Sequence, residues 1–334
     1  MEVTLEERVA ALERKLSARE AAEEPTGYYT SKYSGEEIDA LLGSSTRRNL
    51  LDNWYFVGGG SQQGGGQFPI NQRGKTGHAG SGGVIDRWKL SGEGTATLGN
   101  DGITLTATTG NLEFIQFLGI PNDRLLGETV CLSGLVDGDL LSMTASAPEE
   151  KPSVWTNIIN IIKPFGFVQF NYDNTADRFF CSVIVSAGNS VLLQASKLEL
   201  GSTQTLAYKD EGGNWQLFET PDYAGELAKC QRYFVQFRSE EQRFIGIVHL
   251  DSDKYGQGVI WTPVQMRAIP TVSGAVSFYG GGNNGLVASV APLGVGATAV
   301  RVNITLQDAV STNSIVFLHS NDIQGGPVTL SAEL

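Results

Sequence analysis

Three pairs of closely spaced carboxylates are the side chains of this sequence that could carry out acid–base catalysis. They are Glu149 with Glu150, Asp173 with Asp177, and Asp251 with Asp253. Two carboxyl groups held about 5–9.5 Å apart can hydrolyse a glycosidic bond, one of them acting as the acid. All three pairs lie in turn-rich stretches, where aspartate accepts hydrogen bonds from its own backbone and stabilises the turn. We therefore interpret these acids as solvated turn residues and predict no catalytic residue.

One stretch, DSDKYG at 251–256, begins like the calcium-binding loop of an EF-hand. The fifth position of that loop is Tyr255 and the twelfth is Thr262, so the carboxylate ligands needed there are missing. We exclude an EF-hand on this ground. A calcium site of another kind stays open as an alternative to plain turn residues, with ligands from Asn171, Asp173 and Asp177.

Cysteine and histidine are too few and too scattered to predict a metal centre or a nucleophilic active site. The three cysteines are Cys131, Cys181 and Cys230, and no Cys-x-x-Cys pair occurs. No His-Glu-x-x-His or Gly-x-Ser-x-Gly string occurs either. The sequence therefore predicts buried free thiols, no bound metal ion and no cofactor.

Aromatic rings and side-chain amides near the C-terminus offer binding chemistry, because sugars are held by flat apolar faces and hydrogen-bonding groups. The string FYGGGNNG at 278–285 combines an aromatic face at Tyr279 with two side-chain amides, and its glycines allow a close approach of the backbone. An ordinary hairpin tip with one core aromatic is the alternative for this string. The candidate receptor-binding residues are Tyr255, Trp261, Tyr279, Asn283 and Asn284.

The first 24 residues contain no glycine or proline and repeat apolar residues at spacings of four, three and four. This is the a/d seam of a short coiled coil, which we expect to end at Pro25. An arginine at g and a glutamate at e resemble the Arg-h-x-x-h-Glu motif of short trimeric coiled coils. We assign trimerisation to Leu5, Arg8, Val9, Leu12, Glu13 and Leu16. An amphipathic helix docked on its own chain is the alternative.

The rest of the chain divides into two strand-rich parts joined by linkers. Residues 25–48 form a linker with one short helix, and residues 203–232 form a second linker with another short helix, at PDYAGELAKCQRY. Residues 49–202 and 233–334 contain short runs rich in Val, Ile, Thr and Phe, separated by turn residues. The sequence therefore predicts a mainly β protein with two antiparallel, jelly-roll-like β-sandwich domains.

Two strands of the first sandwich carry specific expectations. The run IDRWKL at 85–90 is predicted to be one strand with Ile85 and Trp88 in the core. The run KLELG at 197–201 alternates as a final strand, with Leu198 and Leu200 expected to point inward.

Charge and hydropathy exclude two classes of partner. The 334 residues carry 24 Lys and Arg against 36 Asp and Glu, a net charge of −12. Nucleic-acid binding needs a basic surface, so we expect no nucleic-acid partner. No apolar stretch reaches the ~18 residues of a membrane span, so we expect no membrane insertion. The acidic N-terminus lacks the apolar core of a secretory signal, which predicts synthesis and release without secretion.

Seven short sequence strings occur along the chain in a recognisable order. In order they are TSKYSGEEIDALL, NLLDNWYF, INQRG, IDRWKL, KLELGSTQTLAY, NWQLFETPDYAGELAKCQRYF and WTPVQMRAIPTVS. As a series they resemble tail-fibre and receptor-binding proteins of tailed bacteriophages and prophages, especially those of gut Firmicutes. The resemblance covers about residues 28–235 and residues 261–273. Each string is structural in kind rather than catalytic.

The resemblance implies a virion protein of the phage tail, made in the host cytoplasm and released by lysis. Its N-terminal part is then expected to attach to baseplate or other tail proteins, and its C-terminal head to meet the host. We expect a homotrimer that binds a bacterial surface glycan or protein without chemistry, since three weak sites on one body raise avidity. The alternatives are an enzyme that depolymerises cell-surface polysaccharide and a purely structural tail component.

Overall fold

The computed structural model describes residues 47–59, 68–238, 244–280, 283–320 and 327–333. The chain divides into two compact units, residues 1–46 and residues 47–334. The predicted coiled coil, with its six trimerisation residues, and most of the 25–48 linker lie outside the described residues. The second unit is mainly β, as the sequence predicts.

Ten antiparallel strands form the first sheet. They are β1 (Gly77–Ala79), β2 (Gly82–Ile85), β3 (Trp88–Gly99), β4 (Gly102–Phe117), β5 (Thr129–Val136), β6 (Asp139–Ser146), β7 (Thr156–Lys163), β8 (Gly166–Asp173), β9 (Arg178–Val185) and β10 (Ser190–Leu200). The strand order is β6-β5-β10-β4-β9-β8-β7, with β3 on β4 and both β1 and β2 on β3. The sequence runs did not predict β6 and β7. These two strands lie at the ends of the order, where little apolar surface is buried.

The long β3–β4 hairpin joins the two halves of this sheet. The first half of β4 pairs with β10 and its second half pairs with β9. Between the halves the hairpin is irregular at Gly92, whose φ is +103° and where an added Cβ would lie 2.2 Å from the Asn111 carbonyl oxygen. Both halves contribute to one buried core, in which the rings of Trp88 and Phe114 stack with centroids 4.7 Å apart.

The run at 85–90 is not one strand, which corrects the sequence prediction. Ile85 pairs with Trp88, and Asp86 and Arg87 form the tight turn between β2 and β3. Arg87 takes the unusual φ of 73°. Its side chain donates to Asp52 Oδ2 at 3.1 Å and lies over the Tyr233 ring, 3.5 Å from the centroid. Contacts to distant residues therefore hold a conformation that the local sequence disfavours. Ile85 and Trp88 are buried, as predicted.

The end of β10 also differs from the prediction. Leu198 is fully buried, as predicted, but Leu200, the last residue of the strand, is 40% exposed. The alternate residues Lys197 and Glu199 are also buried. The Lys197 ammonium donates to the hydroxyl and the carbonyl of Thr205 at 2.8 and 3.2 Å. The backbone N–H of Thr205 donates to Glu199 Oε1 at 2.6 Å. This small polar network fixes the following segment onto the sheet, since buried charges need such partners.

The connecting segment contains β11 (Ala207–Lys209), β12 (Trp215–Leu217) and the helix α1 (Tyr223–Gln231). The predicted short helix is confirmed. Asp222 is its N-cap, accepting from the backbone N–H of Ala224 at 3.1 Å. The paired strands β11 and β12 were not predicted. None of the helices in the described ranges is long and apolar enough to cross a membrane.

The remaining strands are β13 (Phe234–Phe237), β14 (Phe244–Leu250), β15 (Tyr255–Trp261), β16 (Thr271–Ser273), β17 (Val276–Gly280), β18 (Asn283–Val295), β19 (Ala299–Leu306), β20 (Ile315–Ser320) and β21 (Val328–Ser331). Six of them close into a barrel in the order β14-β15-β19-β18-β17-β20. The other three form a small sheet in the order β13-β21-β16.

The barrel corrects the prediction of a second β-sandwich. Strand β14 pairs on one side with β15 and on the other with β20, so the sheet has no free edge. Glycines allow the close strand approach at β14 and β15: a Cβ added at Gly258 would lie 2.0 Å from the Ile247 carbonyl oxygen. A barrel and a sandwich share the same alternation of buried and exposed residues, so the strand pattern alone does not distinguish them.

Four of the strings that carry the phage resemblance meet at Asn53, which is fully buried. Its side-chain amide donates to the carbonyls of Ile70 and Asp86 at 2.8 and 2.9 Å, and its oxygen accepts from the Ile70 N–H at 2.7 Å. Its own backbone N–H donates to Glu226 Oε2 on α1 at 2.6 Å. These strings therefore form a structural junction that ties α1 to the first sheet.

Candidate functional site

The predicted receptor-binding residues lie at separate positions on the strands of the barrel. Tyr255 and Trp261 begin and end β15, so about 20 Å separates them along the strand. Tyr279 on β17 pairs directly with Asn284 on β18, which places the ring and that amide residue side by side. The side chain of Asn283 lies outside the described part. One small ligand can therefore contact the Tyr279–Asn284 pair, but not all of these positions together.

Tyr279 belongs to an apolar patch that the sequence did not predict. It is 60% exposed and pairs with Phe317 on β20. The Phe317 ring lies 4.7 Å from that of Phe244, which is half exposed, and Ile315 is 55% exposed on the same strand as Phe317. These residues share the outer face of the barrel, because alternate residues of a strand face the same side.

Asp173 and Asp177, one of the three acid pairs, have structural contacts. Asp173 Oδ1 accepts from the backbone N–H groups of Thr175 and Ala176 at 2.8 and 3.1 Å, as a turn aspartate does. Asp177 accepts from the Tyr172 hydroxyl at 2.5 Å and pairs with Lys151, and these hydrogen bonds, that of Lys151 first, lower the pKa of Asp177. Within the described ranges, no group of three or more His, Cys, Asp or Glu side chains could hold a metal ion.

A cleft of about 600 Å³ lies between β1–β2 of the first sheet and the three-stranded sheet. That volume falls within the usual range of small-ligand sites. Its polar lining comes chiefly from Arg73, Lys75, His78, Gln236 and Arg238, with Ser273 and Thr329 also contributing. None of the described residues that line it is acidic. We take this cleft as the candidate functional site.

Arg73 contacts an aromatic ring and a carboxylate at the cleft. Its guanidinium lies over the Phe234 ring, 3.9 Å from the centroid, and pairs through Nη2 with Glu333. Its side chain is 15% exposed. The Nε atom is buried and has no hydrogen-bond partner among the described residues. A buried N–H without a partner costs free energy.

Arg238 and Gln236 form the opposite part of the lining. In the amide orientation that satisfies its neighbours, Gln236 accepts from Arg238 Nε at 3.1 Å and donates to the Gln72 carbonyl at 3.2 Å. This contact fixes the guanidinium of Arg238 beside the backbone of Gly74. Two arginines from sequence positions 165 residues apart thus line the same cleft.

His78 adds a titratable imidazole to the cleft. Burial is the main cause that lowers the pKa of its imidazole, and the nearby Lys75 and Arg73 cations act in the same direction. The Nε2 atom is buried without a hydrogen-bond partner in the described part. A negative charge in the cleft is expected to favour the protonated ring.

Sequence reasoning missed this cleft, although Arg73 lies in the INQRG string and Gln236 follows the QRYF string. Spacing along the chain gives no signal for a site whose two sides come from residues 73–83 and from residues 234–329.

No protein-family model matches this chain, and a search of curated proteins finds no significant match.

Proposed function

We propose that this chain is a receptor-binding or tail-fibre protein of a tailed bacteriophage, which attaches the virion to a bacterial surface glycan. The observation that carries the proposal is the polar cleft of about 600 Å³ between two β modules, lined by hydrogen-bonding side chains from strands and from the segments beside them. Sugars need many hydrogen-bond partners in a fixed arrangement, and these side chains can supply them. The series of phage-like strings in the sequence supports the same function.

The proposal includes the finer organisation of the molecule. Residues 1–24 form a short trimeric coiled coil, and the N-terminal part attaches to baseplate or other tail proteins. The first sheet, with its two halves around one core, acts as a jelly-roll-like sandwich that carries the barrel. The protein acts in the virion tail after release by lysis. Three copies of one weak site then act together at the cell surface.

Binding of the labelled full chain to intact bacteria tests this function. We expect the protein to bind cells of at least one strain in a panel of gut Firmicutes and to block adsorption of phages that carry it. Treating the cells with periodate, which oxidises glycans, is expected to abolish binding. Binding that survives periodate but not protease would assign the receptor to a protein.

Paired variants locate the binding surface. Lys75→Ala with Arg238→Ala changes the cleft, and Tyr279→Ala with Asn284→Ala changes the barrel surface. We expect cell binding to fall in the cleft variant and to persist in the barrel variant. Loss of cell binding in the barrel variant alone would instead place the binding site at the predicted loop, residues 278–285. Release of shortened polysaccharide from the cells would instead support the depolymerase alternative.

A further inference from the structure

The charge of the cleft is opposite to that of the whole protein. The chain carries a net charge of −12, yet its cleft is lined by Arg73, Lys75 and Arg238, with His78 beside them. Among the described residues, Glu333 pairs with Arg73 through Nη2, and the guanidinium has further N–H donors. A local cluster of this kind attracts a negative ligand.

Contacts within the protein position the hydrogen-bond donors of Arg73 before a ligand binds. The Arg73 guanidinium lies over the Phe234 ring and pairs with Glu333, and these contacts position it before a ligand arrives. Its Nε and the His78 Nε2 are both buried without partners in the described ranges. Planar guanidinium donors match carboxylate and phosphate oxygens, because these groups accept two parallel hydrogen bonds.

Two side-chain hydroxyls in the lining of the cleft can hydrogen-bond to the hydroxyl groups of a sugar. The hydroxyl groups of Ser273 and Thr329 lie 2.6 Å apart on neighbouring strands β16 and β21. Each can donate or accept, so the pair can bond a sugar hydroxyl in either direction.

We propose that the cleft binds an anionic glycan, with Arg73 and Arg238 holding a carboxylate or phosphate group and the Ser273–Thr329 pair bonding sugar hydroxyls. The inference rests on the proposed function and adds the chemical class of the receptor. A neutral glycan offers no negative charge to these clustered cations. The overall negative charge opposes long polyanions such as nucleic acids, which contact a protein over a wide surface.

Calorimetry with three defined oligosaccharides tests the inference. The probes are hexagalacturonate, maltohexaose that carries a 6-phosphate, and unmodified maltohexaose, each titrated into the full chain at low ionic strength. We expect one or both charged probes to bind at least tenfold more tightly than maltohexaose, and their affinity to fall as salt is added.

Matched variants assign the binding to the cleft. We expect Arg238→Gln with Lys75→Gln to weaken the charged probes about tenfold or more, since charge-assisted hydrogen bonds are lost. Arg301→Gln removes an exposed arginine from the outer face of the barrel and is expected to change nothing. Circular dichroism confirms that each variant is folded.

Four results would overturn the inference. They are equal affinity for neutral and charged probes, no binding of any charged probe, full binding by the cleft variant, and tighter binding of single-stranded DNA than of either charged oligosaccharide. If the inference fails but the full chain still binds cells in a periodate-sensitive manner, the proposed function stands. Failure to bind cells, with charged probes still bound in the cleft, would overturn the proposed function alone.

Discussion

Asp86 is a fully buried carboxyl group next to the cleft. Burial raises the pKa of Asp86 to about 7, although the Arg73 charge and hydrogen bonds from Gln72 act in the opposite direction. Gln72 Nε2 donates to Oδ2 at 2.8 Å, and Oδ1 has no partner in the described part. The folded protein therefore retains a proton on Asp86 in a pH range where the unfolded chain has released it.

This proton makes the stability of the protein depend on pH. Because the pKa is raised on folding, the favourable contribution is complete below about pH 4 and is lost as the pH rises through about 7. We compare the free energy of unfolding of the wild type with that of Asp86→Asn. As the pH rises from 4.5 to 8, we expect the wild type to lose about 2–4 kcal/mol relative to the variant. Urea denaturation at several pH values measures this difference. Asp101→Asn, at an exposed turn, is the control, and parallel curves for wild type and Asp86→Asn would contradict the prediction.

His78 predicts a second pH dependence, that of ligand binding. The charged groups that line the cleft with it are Arg73 and Lys75 on its own segment and Arg238 across the cleft, and Glu333 pairs with Arg73. The cations and burial lower the pKa of His78, and a bound carboxylate is expected to raise it. Binding of hexagalacturonate should therefore take up a proton and become tighter, by about threefold to tenfold, as the pH falls from 8 to 5.5. Calorimetry in buffers of different ionisation enthalpy measures the proton uptake. His78→Asn is expected to abolish it, and an unchanged uptake in that variant would exclude His78.

At the scale of elements, the barrel depends on glycines where β14 and β15 approach closely. A Cβ at position 258 would lie 2.0 Å from the Ile247 carbonyl oxygen and 2.6 Å from the Val248 Cα, so the backbone would have to move. We expect Gly258→Ala to lower the free energy of unfolding by about 2–3 kcal/mol. Denaturation followed by circular dichroism measures this loss. The neighbouring Gln257 is exposed, and Gln257→Ala should change stability by less than about 0.5 kcal/mol. Equal stability of the two variants would mean that the strands separate at low cost.

At the scale of the whole molecule, the apolar seam of residues 1–24 predicts the oligomeric state. We expect light scattering to give three chains per particle for the full chain. Val9→Asp should weaken assembly, because three carboxylates would meet in a desolvated seam. Deletion of residues 1–24 is the cleaner comparison, since contacts elsewhere could retain a trimer in the point variant. A monomeric full chain would contradict the prediction.

Much of the fold could be predicted from the sequence, because the alternation of buried and exposed residues is a local property of each strand. The strands at 166–172 and 299–306 illustrate this, as does α1 with its N-cap Asp222. Prediction failed where distant contacts override local preference. The turn at Asp86 and Arg87 exists because Asp52 and Tyr233 hold the arginine, and neither residue is near it in sequence.

The sequence by itself determined the β class, the positions of most strands, the short helix before the last module and the negative charge of the chain. Only the tertiary structure decided that the C-terminal strands close into a barrel and that the cations of residues 73–78 lie beside Arg238. The physical reason is the range of the interactions. Propensity and alternation act between neighbours along the chain, whereas barrel closure pairs strands about 70 positions apart and the cleft joins residues more than 150 positions apart.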